Sequence, residues 1–154
     1  MTTNKIWHET LPKKRMGAGA LFLDEAGRLL LVNPTYKPQW EIPGGVVEQD
    51  ESPRQACVRE VQEEIGLTKP IERLLSISYK ASHANRTEAL MFIFWGGVLT
   101  PDDIAAIRLP TTELSEYRFV TLAEALTLLT PALGERVRQS LEILPTERTL
   151  YLET

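Results

Sequence analysis

An α/β fold, with a mixed β-sheet covered by helices on both faces, is the architecture this sequence predicts, on three observations. Apolar, β-branched and aromatic segments with strand character lie on both sides of one segment with helical periodicity. That helical segment, between Ser52 and Gly66, carries start and stop signals at its two ends. A second helical region follows the last strand-like segment, so the order runs strands, helix, strands, helix. The chain of 154 residues is of ordinary single-domain size, and one domain over 1–154 is expected.

The first strands are expected at 17–23 and 28–33, joined as a hairpin by Asp24-Glu25-Ala26-Gly27, a turn with glycine last. Gly17, Ala18, Gly19 and Ala20 are small for a strand and point to close approach by a helix or a ligand. Residues 33–39 form a loop punctuated by two prolines, which delivers Trp40 ahead of a Pro43-Gly44-Gly45 turn. Loops so placed usually border a site.

In the helix that follows, Ser52 is the N-cap, Pro53 the first helical residue and Gly66 the stop. At about 100° per residue, Val58, Val61 and Ile65 share one stripe, with Glu60, Glu63 and Glu64 on a face turned away from it. Further strands are expected at 71–79 and 88–99 with a polar connection at 82–86, and the second is apolar enough to lie centrally.

Thr100-Pro101-Asp102-Asp103 reads as a break, 107–109 as a short edge strand, 112–115 as loop and 117–120 as another strand. Thr121 with Glu124 forms a capping box for the next helix. Thr130-Pro131 interrupts that helix, and a last one runs from Pro131 to Leu144. The tail 146–154 alternates around Leu150 and Leu152 and is left open between an edge strand, a homodimer contact and disorder.

Composition bounds the function. Hydrophobic content of 43% and charged content of 25% are globular values, and a net charge of -4 argues against a nucleic-acid polymer as partner. A small anionic ligand stays open through local cations and a metal. The single cysteine, Cys57, excludes an intrachain disulfide, fits a reducing compartment and reads as a packed helix residue. With no apolar run of about 18 residues, and none behind the basic start, a soluble, cytoplasmic protein without a membrane partner is expected.

The helix carboxylates carry the chemistry. A solvated face is the plain reading, but Glu60 repels Glu63 and Glu64 at i+3 and i+4, and the pair sits at the helix end that disfavours anions. A hard divalent cation, Mg²⁺ or Mn²⁺, would relieve that cost through carboxylate oxygens, water and substrate phosphates. Neither histidine has zinc-site spacing.

Gly45, Glu51, Arg59-Glu60-Val61, Glu63-Glu64 and Gly66-Leu67 match the signature of the Nudix hydrolase family at every fixed position, and residues 40–45 resemble the family's entry into it. The resemblance implies a Nudix-like α/β/α sandwich that hydrolyses a nucleoside diphosphate linked to another moiety, a small-molecule nucleotide, with Mg²⁺ or Mn²⁺. It implies that Glu60 and Glu64 ligate the metal, Glu63 shares a second ion or acts as base, the Gly44 carbonyl completes the shell, and Arg59 pairs with Glu51. The general base falls on Glu60 or Glu63, or on the late-loop candidates Glu113 and Glu116, of which Glu116 matches the usual position better. A base there would ride on a mobile loop, 111–116. Arg15, Lys37 and Arg86 are candidates for phosphate contacts, and Trp40 or Tyr36 for stacking on a base, against plain solubility or packing.

Some members mark their substrate by a proline or tyrosine beyond the signature. Ser82-His83-Ala84-Asn85 has neither, which lowers the odds of an ADP-ribose or dinucleoside-polyphosphate specialist. Nucleotide-pool sanitation and nucleotide-sugar or ADP-ribose cleavage stay open. The alternative of a catalytically silent nucleotide-binding regulatory module is weakened by the intact signature glutamates.

Overall fold

The computed structural model describes residues 2–154, with side chains from Ile6 onward. A helix, α1 (Thr2–Thr10), precedes β1 (Arg15–Leu23) and β2 (Leu29–Pro34). The β1–β2 turn is closed by Asp24, whose carboxylate accepts from the backbone N–H of Ala26 and Arg28 and from the Arg28 side chain. Gly27 takes φ 79°, a left-handed conformation in which glycine pays no steric cost.

The hairpin splays at once. β1 and β2 are in register only at Leu23 and Leu29, and further along β1 pairs instead with β3 (Gly44–Val46), which was expected to be only a turn. Glu41 bridges to Val32 of β2, so the segment 41–46 fills the wedge between the two strands. The small residues of β1 follow from this packing. A Cβ on Gly19 would lie 2.9 Å from Ile42 Cδ1 and 3.0 Å from the Pro43 carbonyl, whereas Ala18 and Ala20 face the signature helix α2 (Pro53–Ile65).

β4 (Leu74–Lys80), β5 (Ala89–Val98), β6 (Leu114–Val120) and β7 (Leu150–Glu153) complete a seven-stranded sheet in the order β6-β2-β1-β5-β4-β7, with β3 attached to β1. The sheet is mixed, since β1–β5 and β4–β7 are parallel and the other pairs antiparallel. The apolar β5 is central, as its sequence predicts. The tail resolves as the edge strand β7, paired with β4 from Leu150 to Glu153.

On one face Ala18, Ala20, Phe22, Leu30 and Val32 pack against Ala56, Cys57, Val61 and Ile65 of α2. Full burial of a side chain such as Val61 or Ile65 contributes about 1.5–3 kcal/mol. On the other face Leu21, Leu31, Leu75 and Ile93 meet Ala125 of α4 (Leu122–Leu128) and Leu133 and Val137 of α5 (Pro131–Glu142). This is the expected α/β/α sandwich.

Two readings are corrected between β5 and β6. Thr100 does not break the chain; with Asp103 it forms a capping box that starts a short helix, α3 (Pro101–Ala105). Residues 107–109 are not an edge strand: Arg108 N–H donates to the Ile65 carbonyl at the end of α2, and Ile107 is buried beneath that helix. Among the described residues no helix is long and apolar enough to cross a membrane.

The β1–β3 pairing leaves no room at Gly44, where a Cβ would fall 2.4 Å from the Ala18 carbonyl oxygen, a backbone atom. Gly44→Ala should therefore cost about 2 kcal/mol or more as an overpacking change. A thermal melt with an unchanged midpoint would contradict it.

Candidate active site

Helix α2 is held at both ends. The Ser52 hydroxyl accepts from Gln55 N–H while the Gln55 side chain accepts from Ser52 N–H, Pro53 opens the first turn, and Gly66 closes the last at φ 72°. Burial of Ala56, Cys57, Val61 and Ile65 fixes the rotation of the helix about its axis. Glu60 and Glu64 consequently face β3 and are half-buried, while Glu63 stays exposed at 54%.

The carboxylates sit against bare backbone. A Cβ on Gly45 would fall 2.5 Å from the Glu60 carboxyl carbon, and Gly44 N–H donates to Glu64 Oε1 at 3.4 Å. Burial, with Glu60 and Glu41 as neighbouring anions, pushes the Glu64 carboxyl up to about 8. Among the described residues Glu64 has no ion-pair partner.

Arg59 gathers the surrounding anions. Its Nε and Nη2 donate to the two oxygens of Glu51 at 2.7 and 2.9 Å, Nη1 to Glu60 at 2.9 Å and Glu63 at 3.2 Å, and Nη2 also to the Val46 carbonyl at 3.1 Å. The guanidinium holds Glu51 down at about 2, assisted by Glu48 N–H, and is itself raised chiefly by Glu51. Burial pushes the Cys57 thiol up to about 12, which makes it an inert core group.

Beside this wall opens a cleft of about 720 Å³, of a size suited to a small-molecule ligand. Glu64, Gly44 and Glu41 line it, and so do Arg15, Lys37 and Arg86. Arg15 is tied to Thr87 through its side-chain oxygen at 2.9 Å and its carbonyl at 2.6 Å, and Lys37 is ion-paired with Glu41.

Trp40, a candidate for stacking, is instead buried, 6% exposed, in the core under α4 and α5, with Arg118 over its ring at 4.6 Å from outside. Tyr36, 72% exposed, occupies the cleft rim in its place. Glu116 is not in a loop. It lies on β6 opposite Asn33, 46% exposed and paired with Arg118, and is absent from the cleft lining. Glu113 does line the cleft, and its loop is anchored by Thr35 N–H on the Glu113 carbonyl at 2.8 Å and by buried Leu114. The loop thus has an apolar anchor that the sequence reading did not credit to it.

Arg136, buried on α5 and lining the cleft, was missed. The available signal was a charge on an apolar stripe, since position 136 falls between Leu133 and Ser140 at helical spacing.

Among the described residues no three histidine, cysteine or acidic side chains converge closely enough to cage an ion by themselves. Two hard carboxylates on adjacent turns, one without an ion-pair partner, fit a cation that takes its remaining oxygens from backbone, water and ligand phosphates.

An α/β/α sandwich with an acidic helix facing a nucleotide-sized, partly cationic cleft defines a class of hydrolytic domain. The NUDIX domain family model matches residues 13–141, and the chain belongs to the Nudix family. A MutT-like protein of Streptomyces ambofaciens is 31% identical over 111 residues, 61% of this chain and 69% of that protein. The diphosphoinositol polyphosphate phosphohydrolase 2 of Homo sapiens is 38% identical over 76 residues, 49% of this chain and 42% of its own length, so the chain spans less than half of that relative. Among solved structures, the MutT protein of Methanosarcina mazei Go1 superimposes with a TM-score of 0.71 at 25% identity, covering 86% of this chain and 97% of that one.

The Glu51–Arg59 pair carries a pH signature. Folded Glu51 titrates near 2 against an ordinary 4.5, so its contribution to stability is full above pH 4.5 and is lost as pH falls from 4.5 through about 2. Urea midpoints of the wild type should exceed those of Glu51→Gln above that window and converge with them at its acid end. A gap that persists at the acid end would show that the pair does not titrate in this way.

Proposed function

We propose that this chain hydrolyses the pyrophosphate of a nucleoside diphosphate linked to another moiety, with Mg²⁺ or Mn²⁺ held by Glu60 and Glu64 beside the Gly44 carbonyl. The observation that carries this reading is Glu64, a half-buried carboxylate without an ion-pair partner among the described residues, set at the wall of the cleft against Gly44. When bound, the ion supplies charge neutralisation at the phosphate oxygens and acidifies water.

The chain's own groups do the positioning. Gly44 and Gly45 let the carboxylates approach the backbone, Arg59 holds Glu60 and the loop to Glu51 in register, and Arg86 offers donors to phosphates along the cleft beside Arg15, held by Thr87, and Lys37, held by Glu41. Proton removal from the attacking water falls to Glu60 or Glu63 on the helix, or to Glu113, which lines the cleft where Glu116 does not. The names of the relatives span different pyrophosphate substrates, so a panel that runs from oxidised nucleoside triphosphates through nucleotide sugars and ADP-ribose to inositol pyrophosphates is the deciding experiment.

Glu64→Gln should lower turnover on the best substrate by about three orders of magnitude and weaken Mg²⁺ binding in calorimetry, with the circular dichroism spectrum retained. Wild-type turnover in that variant would reject the ligand assignment. If the panel releases no product while a nucleotide still binds, the chain is a silent binding module.

For the base, Glu113→Gln should cut kcat by about two orders of magnitude and leave metal affinity near wild type, whereas Glu116→Gln should change kcat little. The reverse order in steady-state rates would restore Glu116. A dominant loss in Glu60→Gln or Glu63→Gln would place the base on α2.

A further inference from the structure

Arg136 is 7% exposed, on the face of α5 that carries Leu133, Val137 and Ser140 toward the sheet. Ser140 makes a 2.9 Å hydroxyl contact with Ser76 of β4, which identifies the sheet face that α5 covers. Arg136 lines the cleft on this face, and among the described residues it has no hydrogen-bond or ion-pair partner. Burial pulls its guanidinium below the ordinary range, opposed by Glu41, whose carboxylate is already engaged by Lys37. A guanidinium that is nine-tenths covered, reaches water through the cleft and has no protein partner adds little to folding, so its presence on the apolar stripe needs a reason.

Other cations share the neighbourhood. Register places Lys80, Ala89 and Arg15 in one row across β4, β5 and β1, two residues along from the row of Ser78, Met91 and Gly17 on the same face. Lys80 is lowered by burial and then by Arg136, Arg86 and Arg15, so all three lie close enough to act on it. Four cations thus gather here, and Glu41, the acid that opposes the shifts of both Arg136 and Lys80, is itself paired. Arg15 is occupied by Thr87 and Lys37 by Glu41, which leaves the forks of Arg136 and Arg86 open toward the cleft. A neutral base would leave that repulsion standing; an anion would remove it, and guanidinium forks match phosphate or carboxylate oxygens in pairs.

We propose that Arg136, with Arg86, forms an anion-recognition subsite at the α5 wall of the cleft, which takes a second anionic group of the substrate, a phosphate or carboxylate on the moiety remote from the cleaved bond. The proposal rests on the reading of the cleft as a pyrophosphohydrolase site. It narrows the substrate class to compounds with such a distal group.

The first test needs no catalysis. Inorganic pyrophosphate titrated calorimetrically into the full chain in EDTA should bind the wild type with salt-sensitive affinity, and Arg136→Gln should lose at least about ten-fold. A wild type that does not bind, or equal affinity in the variant, overturns the subsite. Arg136→Met separates a ligand role from a structural one, because removal of an unpartnered buried charge should raise the melting temperature of the ligand-free protein and abolish its rise with pyrophosphate. A lower melting temperature for Arg136→Met overturns the proposal.

In steady state, Arg136→Gln should raise KM at least about ten-fold more for a substrate with a distal phosphate than for its analogue without one, and Arg136→Lys should recover part of the difference. Equal KM effects on the two overturn it. If no compound is hydrolysed by any variant, the hydrolase reading fails, and the pyrophosphate titration still decides the subsite.

Discussion

One guanidinium holds the acidic wall together. Arg59 donates to Glu51, Glu60, Glu63 and the Val46 carbonyl at once, so a single side chain links helix α2, strand β3 and the loop that leads back to the helix. Arginine suits the task because its planar fork meets Glu51 with two parallel bonds and still has donors left over. Lysine, a point charge on a flexible stem, could not span the same partners. With the loop held there, Gly44 and Gly45 lie flat against β1 and against Glu60, and the wedge between β1 and β2 is closed by backbone.

That wedge is why the cleft exists. A regular β1–β2 hairpin would run side by side to its ends, but here β2 turns to β6 while β1 turns to β3 and β5. The sheet opens at the ends of the strands, where the carboxylates of α2 meet the 41–46 segment. Gly17 and Gly19 keep that part of the sheet low, and α5 supplies a wall through Leu133 and Arg136. The packing of Trp40 under α4 and α5 belongs to the same arrangement, since it anchors the segment that fills the wedge.

How much of this could be read in the sequence depended on range. The α2 helix was legible from end to end because its signals are local: Ser52 caps it, Pro53 starts it and Gly66 stops it. The pairing of Glu51 with Arg59 followed from family resemblance. Strand β3 was not legible, because Gly44 and Gly45 have turn chemistry and become strand only through pairing with β1. Residues 107–109 carry strand-like side chains but are spent on covering the end of α2, a tertiary demand that overrides propensity. Trp40 and Tyr36 offered the same stacking chemistry, and only the fold decides which is buried. Glu116 was placed by position along the chain, and the strand that begins at Leu114 carries it away from the cleft.

Two groups in the cleft are held in states that the chain alone does not satisfy. Glu64 is buried among like charges, and Arg136 is buried without a partner. They have opposite signs and line the same cleft, yet they are not paired with each other. Each therefore costs folding stability, and a stable core would more cheaply have had glutamine at one position and methionine at the other. Retained strain of this kind is expected where a ligand completes the electrostatics. An anion alone would relieve Arg136, and a cation alone would relieve Glu64. On the reading proposed above, a phosphate chain accompanied by a divalent ion would meet both walls at once, whereas a free anion would engage the Arg136 wall by itself.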